Sequence, residues 1–155
     1  MQQCELVNEV REAVREPGCP RLRASLVADL VRSVTGFHWV GIYEASPSAV
    51  ELLAWSGLPG PAHPRFPLAE NLTLEAVRQA KPLVCNDVAG DPRYVAASDK
   101  IGSEVIVPVV DGDRVLGTLD VEDCRPGAFT EELVAKLLAI AAELVPLYEE
   151  QHALD

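Results

Sequence analysis

A chain of 155 residues with 48% apolar and 24% charged side chains has the makeup of one folded domain, large enough to bury a core without staples. Its 24 acidic against 13 basic residues leave a net charge of −11, which repels nucleic acid and anionic membrane surfaces. No run nears the roughly 18 apolar residues of a membrane span, and the opening MQQCELVNEVREAVREP is amphipathic rather than signal-like, so a cytoplasmic location is expected.

Residues 4–16 carry Leu6, Val7, Val10 and Val14 at helical spacing, and Glu16-Pro17-Gly18 ends that helix. A second helix is predicted over 21–34, with Leu22, Leu26, Val27, Leu30, Val31 and Val34 as one apolar stripe before Gly36. Phe37 to Tyr43 reads as a strand, Ser46-Pro47-Ser48 as a turn, and Ala49 to Trp55 as the returning strand. In this reading Trp55 is a packing residue. The following SGLPGPAHPRFP is too rich in glycine and proline for regular structure, and predicts a loop that walls a site.

Asn71 is placed to cap a short helix through Ala80, with Leu74 and Val77 inward. A short strand follows at Pro82 to Cys85, then a mostly irregular stretch to Ile101. Glu104 to Val110 and Arg114 to Glu122 predict a hairpin around Asp111-Gly112-Asp113. Thr130 caps a last helix to about residue 150, apolar on more than one face, which Pro146 should kink. Such breadth asks for a second partner besides the sheet, and a homodimer is expected from it.

The order implies an α+β domain: a central antiparallel sheet of five or six strands, helices packed on one face, and a loop-covered pocket on the other. Helices span 4–34, the sheet and pocket loops 37–122, and the C-terminal helix 130–150. No glycine-rich phosphate loop occurs. Cys4, Cys19, Cys85 and Cys124 lack any short spacing, and His38, His63 and His152 stand alone, so neither a disulfide framework nor a metal or other cofactor is expected.

The chemistry lies in the carboxylates set among aliphatic residues: Glu104, Asp120 and Glu122. Asp120 and Glu122 are two apart on a strand and share a face. Glu104 joins them only in the right hairpin register. A two-residue loop at Asp111-Gly112 sets Glu104 opposite Leu119 and turns it away from Asp120, whereas a three-residue loop through Asp113 pairs Glu104 with Asp120. If the acids converge, an ammonium-bearing small molecule, such as an amino acid derivative, would satisfy them, and Trp39 and Tyr43 could cover its apolar part. The competing reading makes the acids solvated strand ends, or partners of Arg93, Arg114 or Arg125, and Trp39 and Tyr43 ordinary core residues, which for Tyr43 is the favoured reading.

The pattern resembles the GAF domain family. The resemblance is carried by FHWVGIY, IVPVVDGDRVLGTLDVE and FTEEL behind two N-terminal helices, and covers nearly the whole chain. Within it the chain is similar to free methionine-(R)-sulfoxide reductases, through Trp39-Val40-Gly41-Ile42-Tyr43, Ser103-Glu104-Val105-Ile106-Val107-Pro108 and Leu119-Asp120-Val121-Glu122. The resemblance implies substrate-binding roles for Glu104, Asp120 and Glu122. It also implies three cysteines, and their positions fall on Ala97, on Thr73 and near His63, so sulfur is absent from all of them. Without the attacking thiolate the expectation is a stand-alone, non-catalytic small-molecule sensor. The alternatives are a reductase that uses Cys85 or Cys124, and a ligand-free dimerisation module.

Overall fold

The computed structural model describes residues 3–57, 60, 64–67, 71–92 and 101–153. Two helices come first, α1 (Gln3–Ala13) and α2 (Pro20–Thr35), followed by strands β1 (Trp39–Ala45), β2 (Ala49–Gly57) and β3 (Arg65–Pro67). Next are α3 (Leu72–Gln79), β4 (Leu83–Cys85), β5 (Ser103–Asp111), β6 (Arg114–Asp123), α4 (Glu131–Ala142) and α5 (Val145–Ala153). The six strands form one sheet in the order β3-β2-β1-β6-β5-β4, every described pairing antiparallel. None of the helices is long and apolar enough to cross a membrane among the described residues.

Local chemistry sets the helix ends. Asn71 accepts from Leu74 N at 2.8 Å and Thr130 from Leu133 N at 3.2 Å, each satisfying a backbone donor that the first turn leaves open. Gly36 closes α2 in the left-handed region at φ 74°.

The main core lies between one sheet face and α1, α2, α4 and α5. There Val40, Ile42, Val105, Val107, Leu119 and Val121 meet Leu6, Val10, Val27, Val31, Leu137, Ile140 and Leu147. The other face carries α3 and two smaller clusters, one around Leu72, Cys85 and Ile106, the other around Trp39, Tyr43, Val50 and Leu52. The α+β expectation of an antiparallel sheet with helices on one face holds, with α3 added on the opposite side.

Several boundaries differ from the sequence reading. The segment assigned to a loop after Trp55 contains the end of β2 and the edge strand β3, because β2 offers a free edge to which Arg65–Pro67 can bond. Proline is tolerated there, at the sheet edge. The α2 stripe is narrower than its apolar pattern: Ala24, Val27, Ala28 and Val31 are buried, while Leu22 and Leu26 are exposed. Trp55, expected to pack, is exposed as well. The single C-terminal helix over 130–150 is two helices, broken at Glu143 and Leu144, with Pro146 in the first turn of α5, where its missing N–H costs nothing. Most of the apolar breadth of this segment is used inside the chain, against the sheet and against α1 and α2, while Leu138 on α4 stays exposed.

The β5–β6 hairpin takes neither predicted register. Asp111 pairs with Arg114 around a two-residue turn of Gly112, at φ +65°, and Asp113. Val110 then pairs with Val115, but Val109 pairs with Gly117, so Leu116 is an extra residue, a β-bulge. Beyond it Glu104 stands opposite Glu122, and Asp120 opposite Ile106. The bulge shifts the pairing by one, and a shift of one exchanges the faces. It therefore brings all three carboxylates to the same side.

Candidate functional site: a buried carboxyl face

The face opposite the main core is assembled in rows across the sheet. One row runs Cys85, Glu104, Glu122, Trp39 over β4, β5, β6 and β1, and the next runs Leu83, Ile106, Asp120, Gly41. Thr118 and Tyr43 pair in the row after that. All five residues singled out from the sequence are thus brought together. Glu104, Asp120 and Glu122 are only 2–7% exposed, and Trp39 and Tyr43 are buried beside them.

Gly41 explains how an indole fits on this surface. A Cβ at Gly41 would sit far inside contact distance of the Trp39 ring, so the outer edge of the indole occupies the space above the glycine, in the row of Asp120. A glycine inside a strand marks such a close approach. The signal is the WxG spacing of Trp39 and Gly41, which puts both residues on one face of β1.

The electrostatics are one-sided. Burial drives the carboxyls toward their neutral forms, carrying Asp120 and Glu122 up to about 7 and Glu104 well above the usual carboxylate range. Glu122 and Asp120 add like-charge repulsion to Glu104, and Asp120 adds it to Glu122. Directly paired cross-strand groups lie about 5 Å apart at Cβ, where two unit charges repel by about 3 kcal/mol at an effective dielectric near 20. For Asp120 the hydroxyls of Thr118 and Thr73 hold the rise back. The Tyr43 phenol is raised far above its ordinary value by burial, then by Asp120, Glu122 and Glu104.

Among the described residues no lysine or arginine pairs with any of the three acids. Arg125, one of the expected partners, donates to Asp123 at 2.8 Å instead, and Arg114 faces Asp111 at the turn. Asp120 Oδ1 is buried with no hydrogen-bond partner, and Thr118 Oγ1, although close enough to ease Asp120, falls short of a hydrogen bond. Buried acceptors left in this condition are rare in a folded domain.

Two further residues belong to the site. Thr73, in the first turn of α3, directs its hydroxyl at Asp120 Oδ2 at 3.5 Å, so one position where the resemblance implies sulfur does lie against the acids. Ala97, His63 and Arg93 fall outside the described residues. Cys85 stands beside Glu104 and its thiol lies 3.7 Å from Asp91 Oδ2, with its pKa raised first by burial. Cys124 is exposed.

A GAF domain family model matches residues 24–145. The free methionine-R-sulfoxide reductase of Escherichia coli strain K12 is 26% identical over 121 residues, covering 78% of this chain and 72% of its own. GAF domain-containing protein A of Dictyostelium discoideum is 30% identical over 96 residues, 61% of this chain and 60% of its own. Among solved structures, the type II free methionine-R-sulfoxide reductase of Thermoplasma acidophilum superposes with a TM-score of 0.79 at 25% identity, over 91% of this chain and 96% of that one. The matched span takes in the whole carboxyl face and every strand beside it, and the chain belongs to the GAF domain family.

Proposed function

We propose that this GAF domain binds a free amino acid or a close derivative through its ammonium group, and that it does so without reductase turnover. The observation that carries this is the cluster of Glu104, Asp120 and Glu122: three buried carboxyls on one face, with no cation beside them among the described residues. Unpaired buried charge is costly, and a primary ammonium supplies both the missing charge and three donors. Trp39 and Tyr43 offer aromatic surface for the rest of the molecule. The similarity to free methionine-R-sulfoxide reductases favours methionine or its sulfoxide as the first ligands to try.

Calorimetry with L-methionine, free methionine-R-sulfoxide and N-acetyl-methionine tests the reading. The free amino acids should bind and the acetylated one should not, since it lacks the ammonium. Equal binding of all three defeats the assignment. Glu104→Gln combined with Asp120→Asn should abolish binding in a chain that stays folded.

One observation favours a second reading, reductase action by Cys85: this thiol neighbours Glu104 on the same face. Its raised pKa opposes that reading, because the thiolate is the nucleophile. Turnover of free methionine-R-sulfoxide with a dithiol reductant, lost in Cys85→Ser, would establish it.

A further inference from the structure

The hydroxyl of Tyr148, on α5, donates to the Tyr43 carbonyl oxygen at 2.7 Å, across 105 positions of sequence. Tyr148 is fully buried on the helix-covered side, whereas the Tyr43 side chain lies on the carboxyl side. This bond therefore joins the C-terminal helix to a strand residue whose side chain is buried on the same face as the acids. It is made where β1 shifts register against β2, between Ile42 and Tyr43.

Gly117 opens the way. A Cβ there would lie far inside contact with both the Tyr43 carbonyl oxygen and the Tyr148 ring, so the phenol reaches the strand only because β6 has no side chain at this point. Gly117 also adjoins the extra residue of the β6 bulge, the feature that turns Glu104 toward Glu122. One irregularity in β6 thus aligns the acids on one face and seats the phenol on the other.

Electrostatics cross the sheet as well. The charged groups that act on the Tyr148 hydroxyl are Asp120, from the carboxyl side, and Glu44, which shares the helix side of β1. Burial and these two charges all disfavour its ionisation. The phenol accordingly remains a donor while Asp120 changes its charge or its partner.

We propose that Tyr148 is a positioning residue for the carboxyl face, holding Tyr43 through the sheet, so that the charge of Asp120 and the docking of α5 are coupled. Coupling of this kind is reciprocal: what neutralises the acids alters the seating of α5, and what loosens α5 alters the acids. The proposal rests on reading that face as a ligand site, but its test needs no ligand.

Native-state amide exchange is measured on the full chain, Asp120→Asn, Tyr148→Phe and the double variant, taking the α5 amides relative to those of β5 to cancel global stability. Asp120→Asn should change α5 exchange by about 5-fold or more in the native background and by less than about 2-fold with Tyr148→Phe, as expected for a coupling that passes through that hydroxyl. An equal response in both backgrounds overturns the proposal. Should Tyr148→Phe not fold, the Tyr148 ring carbon that bears the oxygen is followed by NMR in Asp120→Asn and in Glu51→Gln, an exposed change on β2. A shift in the first alone supports the coupling, and no shift in the first overturns it. Failure of amino acids to bind would defeat the ligand assignment and leave this outcome unaffected.

Discussion

Glu104 and Glu122 stand directly opposite each other on β5 and β6, both buried and on the same face as Asp120. Each carboxyl holds its proton to a higher pH in the folded chain than in the unfolded one. Between about pH 4, where these groups titrate when unfolded, and about 7, where Asp120 and Glu122 titrate when folded, the native state binds more protons. Stability therefore falls as pH rises through this window. Asp120→Asn should stabilise the ligand-free domain at pH 8 by about 1–3 kcal/mol and by nothing measurable near pH 4. Urea melts at the two pH values check this, and an equal effect at both contradicts the assignment.

Binding of a cationic ligand must reverse that titration. An ammonium favours the ionised carboxylates, so its entry should expel roughly one proton near pH 7, and affinity should weaken as pH falls below 7. Calorimetry with L-methionine in two buffers of different ionisation enthalpy measures the proton count. Proton uptake would show that the ligand prefers the protonated face.

Gly41 and Gly117 are close-approach glycines with different consequences. A methyl group at Gly117 meets backbone at Tyr43, which cannot withdraw, so Gly117→Ala should cost about 3 kcal/mol or more. At Gly41 the obstacle is the far edge of the Trp39 ring, which can tilt. Gly41→Ala should keep the fold at a cost of about 1 kcal/mol, alter indole fluorescence and weaken ligand binding. Denaturant melts and emission spectra of both variants separate the two cases.

The cysteines should differ in reactivity. Cys19 and Cys124 are exposed, whereas Cys85 is buried with a raised pKa. A disulfide reagent at pH 7 should modify Cys85 at least about 10-fold more slowly than the other two. Peptide mapping over time reads the order, and a fast Cys85 would revive the reductase reading.

Much of this architecture was legible along the chain. The β-branched runs of β1, β5 and β6, the caps at Asn71 and Thr130 and the Pro17-Gly18 stop are local signals, set by backbone sterics and nearby hydrogen bonds, and they placed most elements. The edge strand β3 was not legible, because only a bonding partner makes Arg65–Pro67 extended. The α2 stripe failed for a related reason: helical spacing marks the residues that can be buried, and the neighbouring elements select Val27 and Val31 over Leu22 and Leu26. Pro146 predicts a kink in one helix, and the structure has a full break before it, between α4 and α5.

What the sequence determined by itself was the supply of chemistry: three carboxylates among aliphatic residues, two of them necessarily on one face of β6 because side chains alternate along a strand. Whether Glu104 joined them lay beyond it. Either predicted hairpin loop fits Asp111-Gly112-Asp113, and the choice made is a third, a tight turn followed by the bulge at Leu116. The tertiary structure decided it because Leu116 is buried in the core beside Leu119 and Val121, and Gly117 admits Tyr148. Packing on the far face of the sheet thereby fixed the register that gathers the acids on the near one.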